Sequence, residues 1–152
     1  MIRVNLTAMK KTDVRQFHLV LLLIWTVLFM SQFLFFAAIY YNKPEIFEPA
    51  SDAPLLGDAP FLVVLFAILA LIDLGIAGFV RRKGISEAIE SKDPKTLQTS
   101  LVIGCALCEA ISILGMFLAF GFNYQYFYIW FILGAVGIIK QFPRRSISEQ
   151  VF

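Results

Sequence analysis

Histidine and cysteine are scarce in this chain, and each scarcity excludes a class of protein. The single histidine, His18, stands at the mouth of an apolar run, and no c-type haem attachment motif is present, so we expect no haem. The two cysteines, Cys105 and Cys108, are too few for a disulfide framework or a four-ligand zinc site. Without a Ser-His-Asp set, a metal-ligand cluster or a phosphate-binding glycine loop, we expect neither an enzyme nor a bound cofactor or metal.

The chain also carries little charge and a large excess of apolar side chains. Charged residues make up 16% of it, against roughly 25% in an ordinary soluble domain, whereas 59% of its residues are hydrophobic and sixteen are phenylalanine. A soluble core of this size could hardly hide so many rings, so the composition indicates an integral membrane protein with the lipid bilayer as a partner. The net charge of +2 is too small to indicate a nucleic-acid partner.

Apolar runs predict an all-α protein with a single four-helix transmembrane domain over residues 1–152. A helix needs about 20 apolar residues to cross the hydrocarbon of a bilayer. The predicted spans are residues 19–41, 60–80, 98–120 and 124–139. The first run is longer than the core of a signal peptide and has no small-residue cleavage site, so we expect it to be retained.

The segments between the spans predict the orientation. Residues 42–59 form an acidic, proline-containing loop, and residues 81–97 form the most basic loop, in which the Asp93–Pro94 step starts the third span. Lysine and arginine number four before the first span, one in the first loop, five in the second, none in residues 121–123 and three after the fourth span. Because cytoplasmic segments are enriched in basic residues, we predict that both termini are cytoplasmic, and we expect a bacterial inner membrane.

The third span carries one ionisable residue, Glu109, near its middle. A carboxyl group in hydrocarbon needs protonation, a partner or a cation, so Glu109 is a candidate ion-binding residue. On a helix, six small residues share about a third of the circumference, with Glu109 at the edge. They are Gly104, Cys105, Cys108, Ser112, Gly115 and Ala119. Small residues let a second helix approach closely, so we predict a helix-packing face, in which the thiols pack rather than form a redox pair.

Polar residues also interrupt the first two spans. Asp73 shares its helix face with Ala70 and Ala77, so we predict that it faces the protein, in either a structural or an ion-binding role. Ser31 and Gln32 lie near the middle of the first span. We predict that they face the protein too, because a polar side chain directed to lipid would lack partners.

Residues 84–120 resemble the hairpin loop and the carboxylate-bearing helix of the c-type proteolipids of rotary ATPases. The resemblance is carried by Gly104, Ala106, Glu109, Ala110, Ile113, Gly115, Ala119 and Phe120, with Pro94 near the proline of the family's loop. It implies that Glu109 is a proton- or sodium-binding carboxylate and that Ser112 assists it. The second span departs from the family, since it lacks the repeated Gly-x-Gly pattern of the inner helix and adds Asp73.

Two functions therefore stay open. The first is a non-enzymatic accessory or structural subunit of a larger membrane complex, such as an energy-converting one. The alternative is a proteolipid-like protein that binds or translocates H⁺ or Na⁺ through Glu109, with or without Asp73. The first predicts other membrane-protein subunits as partners, and the second predicts a homo-oligomer.

Overall fold

The computed structural model describes residues 2–48 and 54–152, with side chains from residue 13 onward. Every regular element in these ranges is helical, which confirms the all-α prediction for the described part of the chain. The α-helices are α1 (Ile2–Asn42), α2 (Pro60–Ser91), α3 (Pro94–Phe122), α4 (Tyr128–Lys140) and α5 (Arg145–Val151). Two short 3₁₀ turns, Pro44–Phe47 and Gln125–Phe127, precede α2 and α4.

The ends of α2 and α3 follow from local chemistry. Pro60 and Pro94 stand in the first turns of α2 and α3, where no amide donor is needed. The Asp93 carboxylate caps α3 by accepting from the Lys95 amide at 3.0 Å and from Thr96 Oγ1 at 2.8 Å. Lys92 and Asn123, both with positive φ, end α2 and α3 in left-handed caps.

The expected basic loop at residues 81–97 is a loop only around Lys92 and Asp93. Elsewhere α2 continues to Ser91, because residues 85–91 have good reasons to stay helical. Ala88 is fully buried, Ile85 and Ile89 pack beside it, and Glu87 pairs with Lys83 one turn earlier at 3.6 Å. A cluster of cations outside the bilayer does not by itself end a helix.

The structure describes part of the expected acidic loop at 42–59. Residues 49–53 lie outside the described part of the chain. Before them, the turn at Pro44–Phe47 buries Ile46, and after them Tyr124 Oη donates to the Leu55 carbonyl at 3.0 Å. Both described flanks of this loop therefore have packing or hydrogen-bond contacts.

Three helices in the described chain are long and apolar enough to cross a membrane: Asp13–Asn42, Pro60–Ser91 and Pro94–Phe122. The predicted fourth span at 124–139 corresponds to a 3₁₀ turn and the 13 residues of α4, which cover only about 20 Å of a hydrocarbon layer near 30 Å thick. This segment is long enough to cross a membrane only together with α5, to which it is bent by 47°. The structure is compatible with a membrane protein of three or four spans.

α3 is the central helix of the bundle. It packs against α1, α2 and α4, whereas α2 packs mainly on α3 and α5. Gly84 of α2 meets Ser100 near the start of α3, and Gly137 near the end of α4 meets Cys108, so both neighbours run antiparallel to α3. Lys43, just after α1, reaches the last turn of α3, so α1 runs parallel to it.

The final helix, α5, was not expected from the sequence. Pro143 lies in the break after α4, and the chain then bends by 47° and covers one end of the bundle. Ser148 and Val151 are buried, Ser148 Oγ lies 3.4 Å from Nδ1 of His18, and the Phe152 ring lies 5.6 Å from that of Phe17. The carboxyl terminus therefore packs against α1, as well as α2, at this end.

Candidate functional site: a polar cluster between α1 and α3

The polar residues of α1 and α3 meet at the same depth of the bundle. Ser31 Oγ of α1 hydrogen bonds to Oε1 of Glu109 and also lies 2.7 Å from the Leu28 carbonyl one turn earlier. A hydroxyl carries one proton and can donate to only one of these acceptors. Both contacts are hydrogen bonds when Ser31 donates to Leu28 and a protonated Glu109 carboxyl donates to Ser31. The arrangement therefore accommodates a protonated carboxyl.

A second pair lies next to the first. Ser112 Oγ of α3 donates to Oε1 of Gln32, which is only 4% exposed. Nε2 of Gln32 is buried and has no hydrogen-bond partner in the described chain, a deficit that costs roughly 1–3 kcal/mol. The prediction that Ser31 and Gln32 face the protein is confirmed, since both hydrogen bond to α3. We call Ser31, Gln32, Glu109 and Ser112 the polar cluster.

Glu109 itself is only half-buried, so the polar cluster reaches the lateral surface of the bundle. Gln32 and Ser112, in contrast, are enclosed by α4 at Gly134. A side chain at Gly134 would collide with Ser112 Oγ and approach Oε1 of Gln32 within 3.3 Å. Glycine at this position leaves the space that the second pair occupies.

The six small residues predicted to share a helix-packing face are all buried: Gly104, Cys105, Cys108, Ser112, Gly115 and Ala119. The neighbour for three of them is α4 or the segment just after it. Gly104 approaches Gln141, Gly115 approaches Trp130, and Cys108 Sγ lies 2.6 Å from the position that a Cβ at Gly137 would take. This face of α3 is therefore joined to α4 by close approach.

Asp73 is not part of the polar cluster. It is half-buried on α2, close enough to Cys108 for electrostatic interaction, and makes no hydrogen bond or ion pair within the described residues. Glu109 instead contacts α1. Since α1 and α2 contact different parts of α3 and scarcely touch each other, the two carboxyls do not form a pair.

Three further polar residues tie the helix ends together, and the sequence reading did not single them out. Lys43 donates to the Phe120 carbonyl at 2.8 Å and to the side chain of Asn123, so a cation closes the carboxyl end of α3. Arg81 closes the end of α4 in the same way, through the Gln141 carbonyl at 2.6 Å and the Phe142 carbonyl at 2.7 Å. The buried Gln141 side chain in turn donates to the Ala77 carbonyl at 3.2 Å.

One signal could have identified these ties. Lys43 is the lone basic residue of the acidic loop. Its position just after one helix allows its positive charge to stabilise the partly negative carboxyl-terminal end of a neighbouring helix. Within the described residues, no group of three or more histidine, cysteine, aspartate or glutamate side chains could hold a metal ion.

Comparison with known proteins adds no relative to this picture. No protein-family model matches the chain, and neither the curated proteins nor the solved structures contain a match. Conclusions about function therefore depend on the residues of this chain.

Proposed function

We propose that this protein crosses a bacterial cytoplasmic membrane four times, keeps both termini on the cytoplasmic side, and serves as a non-enzymatic accessory subunit of a larger membrane complex. The observation that carries the proposal is the position of Asp73. This carboxyl lies in the middle of a membrane-length helix, is only half-buried, and has no hydrogen-bond or ion-pair partner in the described chain.

The basic residues support this orientation. Arg81 meets residues 141–142, His18 meets Ser148, and Lys92 Nζ donates to the Gln150 carbonyl at 2.6 Å. The second basic segment, the carboxyl-terminal tail and the start of the apolar part of α1 are thus at one end of the bundle. The opposite end has Lys43, whose charge is used to cap α3. Enrichment of cations at one end favours placing that end in the cytoplasm.

Asp73 supports the accessory role on energetic grounds. An aspartate at the centre of a membrane helix costs about 2.5–3.5 kcal/mol on insertion scales, and such residues normally face protein or a polar cavity. A helix of a neighbouring subunit that presents a donor or a cation to Asp73 would offset this cost. A free monomer in lipid offers no such compensation.

Gentle extraction from the native membrane followed by native mass spectrometry tests this role. We expect the wild-type chain at low copy number with larger subunits, and we expect Asp73→Ala to lower the co-purified amount at least several-fold. Asp73 has no stabilising partner within the described chain, so this loss does not come from unfolding of the subunit. Asp58→Ala, in the exposed turn before α2, removes the same charge and should leave the complex intact. A wild-type chain that is extracted alone contradicts the accessory role.

A second candidate is proton binding by Glu109, and the contact with Ser31 favours it. A protonated carboxyl satisfies both hydrogen bonds of the Ser31 hydroxyl, and the resemblance of residues 84–120 to c-type proteolipids points to the same residue. A carboxyl that remains half-buried beside a hydroxyl and an amide has polar neighbours to hold a proton in hydrocarbon.

Infrared difference spectroscopy of the reconstituted protein, recorded between acid and alkaline buffer, tests this candidate. We expect the carbonyl band of a protonated carboxylic acid, absent in Glu109→Gln and shifted in Ser31→Ala, with Asp58→Asn as the unshifted control. Persistence of the same band in Glu109→Gln would assign it to another acid and remove the candidate.

A further inference from the structure

A groove runs between α2 and α4 at the basic end of the bundle. Both helices pack on α3, and they meet each other where Leu74 reaches Gly137 and where Arg81 and Ala77 hydrogen bond to Gln141. Cys108 and Gly137 form the floor of the groove. Its α2 wall consists of Leu74, Ala77 and Gly78, and its volume is about 340 Å³. Its inner part is therefore mainly apolar, and the buried Gln141 side chain is its polar group.

The mouth of the groove is cationic. Arg81, Arg82 and Lys140 line it, and no acidic side chain does. Arg81 is committed to the carbonyls at the end of α4. Arg82 and Lys140 are exposed and make no ion pair with any residue that the structure describes. These two charges are therefore available to an anion from outside the chain.

Two other cations at the same end form ion pairs within the chain. Lys83 pairs with Glu87 at 3.6 Å, and Arg145 pairs with Glu149 at 3.0 Å. On α2, Glu87 is paired with Lys83, and Asp73 precedes Arg82 by nine residues, about 13.5 Å along the helix toward the membrane centre. Arg82 and Lys140 thus place unpaired positive charge at the mouth of the groove, and Asp73 lies away from it.

Gly78 supplies an independent observation. A Cβ at Gly84 or Gly137 would collide with a neighbouring helix, so those glycines are explained by packing within the chain. A Cβ at Gly78 would meet nothing within 4 Å, although Gly78 lines the groove. Glycine in a helix interior costs roughly 1 kcal/mol relative to alanine. A side chain at Gly78 would enter the groove, so glycine leaves this part of it open.

We propose that this groove binds one anionic phospholipid, with the phosphate between Arg82 and Lys140 and an acyl chain along Gly78 toward Cys108. Basic pockets between membrane helices on the cytoplasmic side suit anionic head groups, and arginine binds phosphate well. A lipid matches both parts of the groove, because it joins an anion at headgroup depth to a hydrocarbon chain. The proposal rests on the membrane topology proposed above but not on the accessory role.

Native mass spectrometry of the purified chain, mixed with phosphatidylglycerol or phosphatidylcholine of identical acyl chains, tests the site. We expect a preference for phosphatidylglycerol in the wild type. Each surface cation contributes about fivefold to the binding of an anionic lipid, so Arg82→Gln/Lys140→Gln should lower phosphatidylglycerol binding by roughly 30-fold. Gly78→Leu keeps every charge but fills the groove, and it should reduce the binding of both lipids.

The matched control is Lys83→Gln/Lys95→Gln, which removes the same charge from the separate groove between α2 and α3. It should leave the preference unchanged, and thermal unfolding should show that all variants are folded. An equal loss of phosphatidylglycerol binding in both double variants would show that the lipid responds only to total surface charge, and it would overturn the proposal. Displacement of the lipid by soluble glycerol phosphate at equal concentration would also overturn it, because a free phosphate site needs no acyl chain. Unchanged binding in Gly78→Leu would exclude the groove.

Discussion

The face of α3 toward α4 and the face toward α1 both pack against a neighbouring helix, but through different interactions: close backbone packing in the first and hydrogen bonds in the second. Toward α4, glycines and a cysteine let the helix backbones approach, and the fit depends on the absence of side-chain atoms at Gly134 and Gly137. Toward α1, a hydroxyl, an amide and a carboxyl meet in the polar cluster. The first face should tolerate loss of a polar group but not added volume. The second should respond most when one partner of a hydrogen bond is removed.

The largest effect is expected at the α4 face. A methyl group at Gly137 would lie 2.6 Å from Sγ and 3.0 Å from Cβ of Cys108. Gly137→Ala should therefore lower the free energy of unfolding by about 1–3 kcal/mol through overpacking. Gly75→Ala is the matched control, because its Cβ would meet nothing within 4 Å, and it should be neutral or stabilising by roughly 0.5–1 kcal/mol. Thermal unfolding in detergent measures both, and equal stability of the two variants would break the contrast between the faces.

The polar face is tested by a double-mutant cycle on Ser112→Ala and Gln32→Leu. Each single change strands a polar atom of the partner, so the double variant should be less destabilised than the sum of the two. Coupling energies between polar groups in membrane helices average about 0.6 kcal/mol and reach about 1.7 kcal/mol. The same denaturation measurement applies, and strict additivity would mean that Ser112 is held by its contact with Gly134 rather than by Gln32.

The tie at the far end of α1 should contribute less. Lys43→Gln removes a cation from the last turn of α3 and should cost about 0.3–1 kcal/mol, with a larger effect at low salt. Lys95→Gln serves as the control, because that side chain is exposed and donates no hydrogen bond within the described residues. A salt dependence equal in the two variants would show that Lys43 acts only through net charge.

The smallest effect is expected at the start of α3, which depends on neither neighbouring helix. The Thr96 hydroxyl and then the Lys95 amide lower the pKa of Asp93 by hydrogen bonding to its charged form. Its contribution to stability is thus complete above the ordinary aspartate pKa and is lost as the pH falls through the lowered pKa. Thermal midpoints recorded from about pH 6 to about pH 3 should show the wild type losing a small advantage over Asp93→Asn. A constant difference between them would contradict this assignment.

Much of α3 could be predicted from its own residues. Its start at an Asp-Pro step, its apolar length and its stripe of small residues are local patterns, and a stripe of that kind requires a close neighbour whatever the fold. The pairing of Ser31 with Glu109 is different, since it joins residues 78 positions apart. Matching polar residues by their depth in each span would have suggested it, because Ser31, Gln32 and Glu109 all lie near the middle of a run.

The errors of the sequence reading also have physical reasons. The basic residues of 81–97 predict a loop with at most a short turn of helix over residues 85–90, whereas α2 continues unbroken to Ser91 and packs Ala88 into the bundle. The seven residues of α5 are too short to be recognised by periodicity and become ordered by tertiary contacts of Ser148 and Val151.

Arg81 has a consequence for the order of events during synthesis. The carbonyls that bind its guanidinium lie about 60 residues later in the chain, beyond two further helices. In the topology proposed above, a chain made from its amino terminus would insert α2 while Arg81 is still an unpaired charge, available to retain that end on the cytoplasmic side. After α4 returns, the same side chain fastens α2 to it. In that topology Arg81 would first direct the insertion of α2 and later hold α2 against the end of α4, so we expect Arg81→Ala to impair both stages.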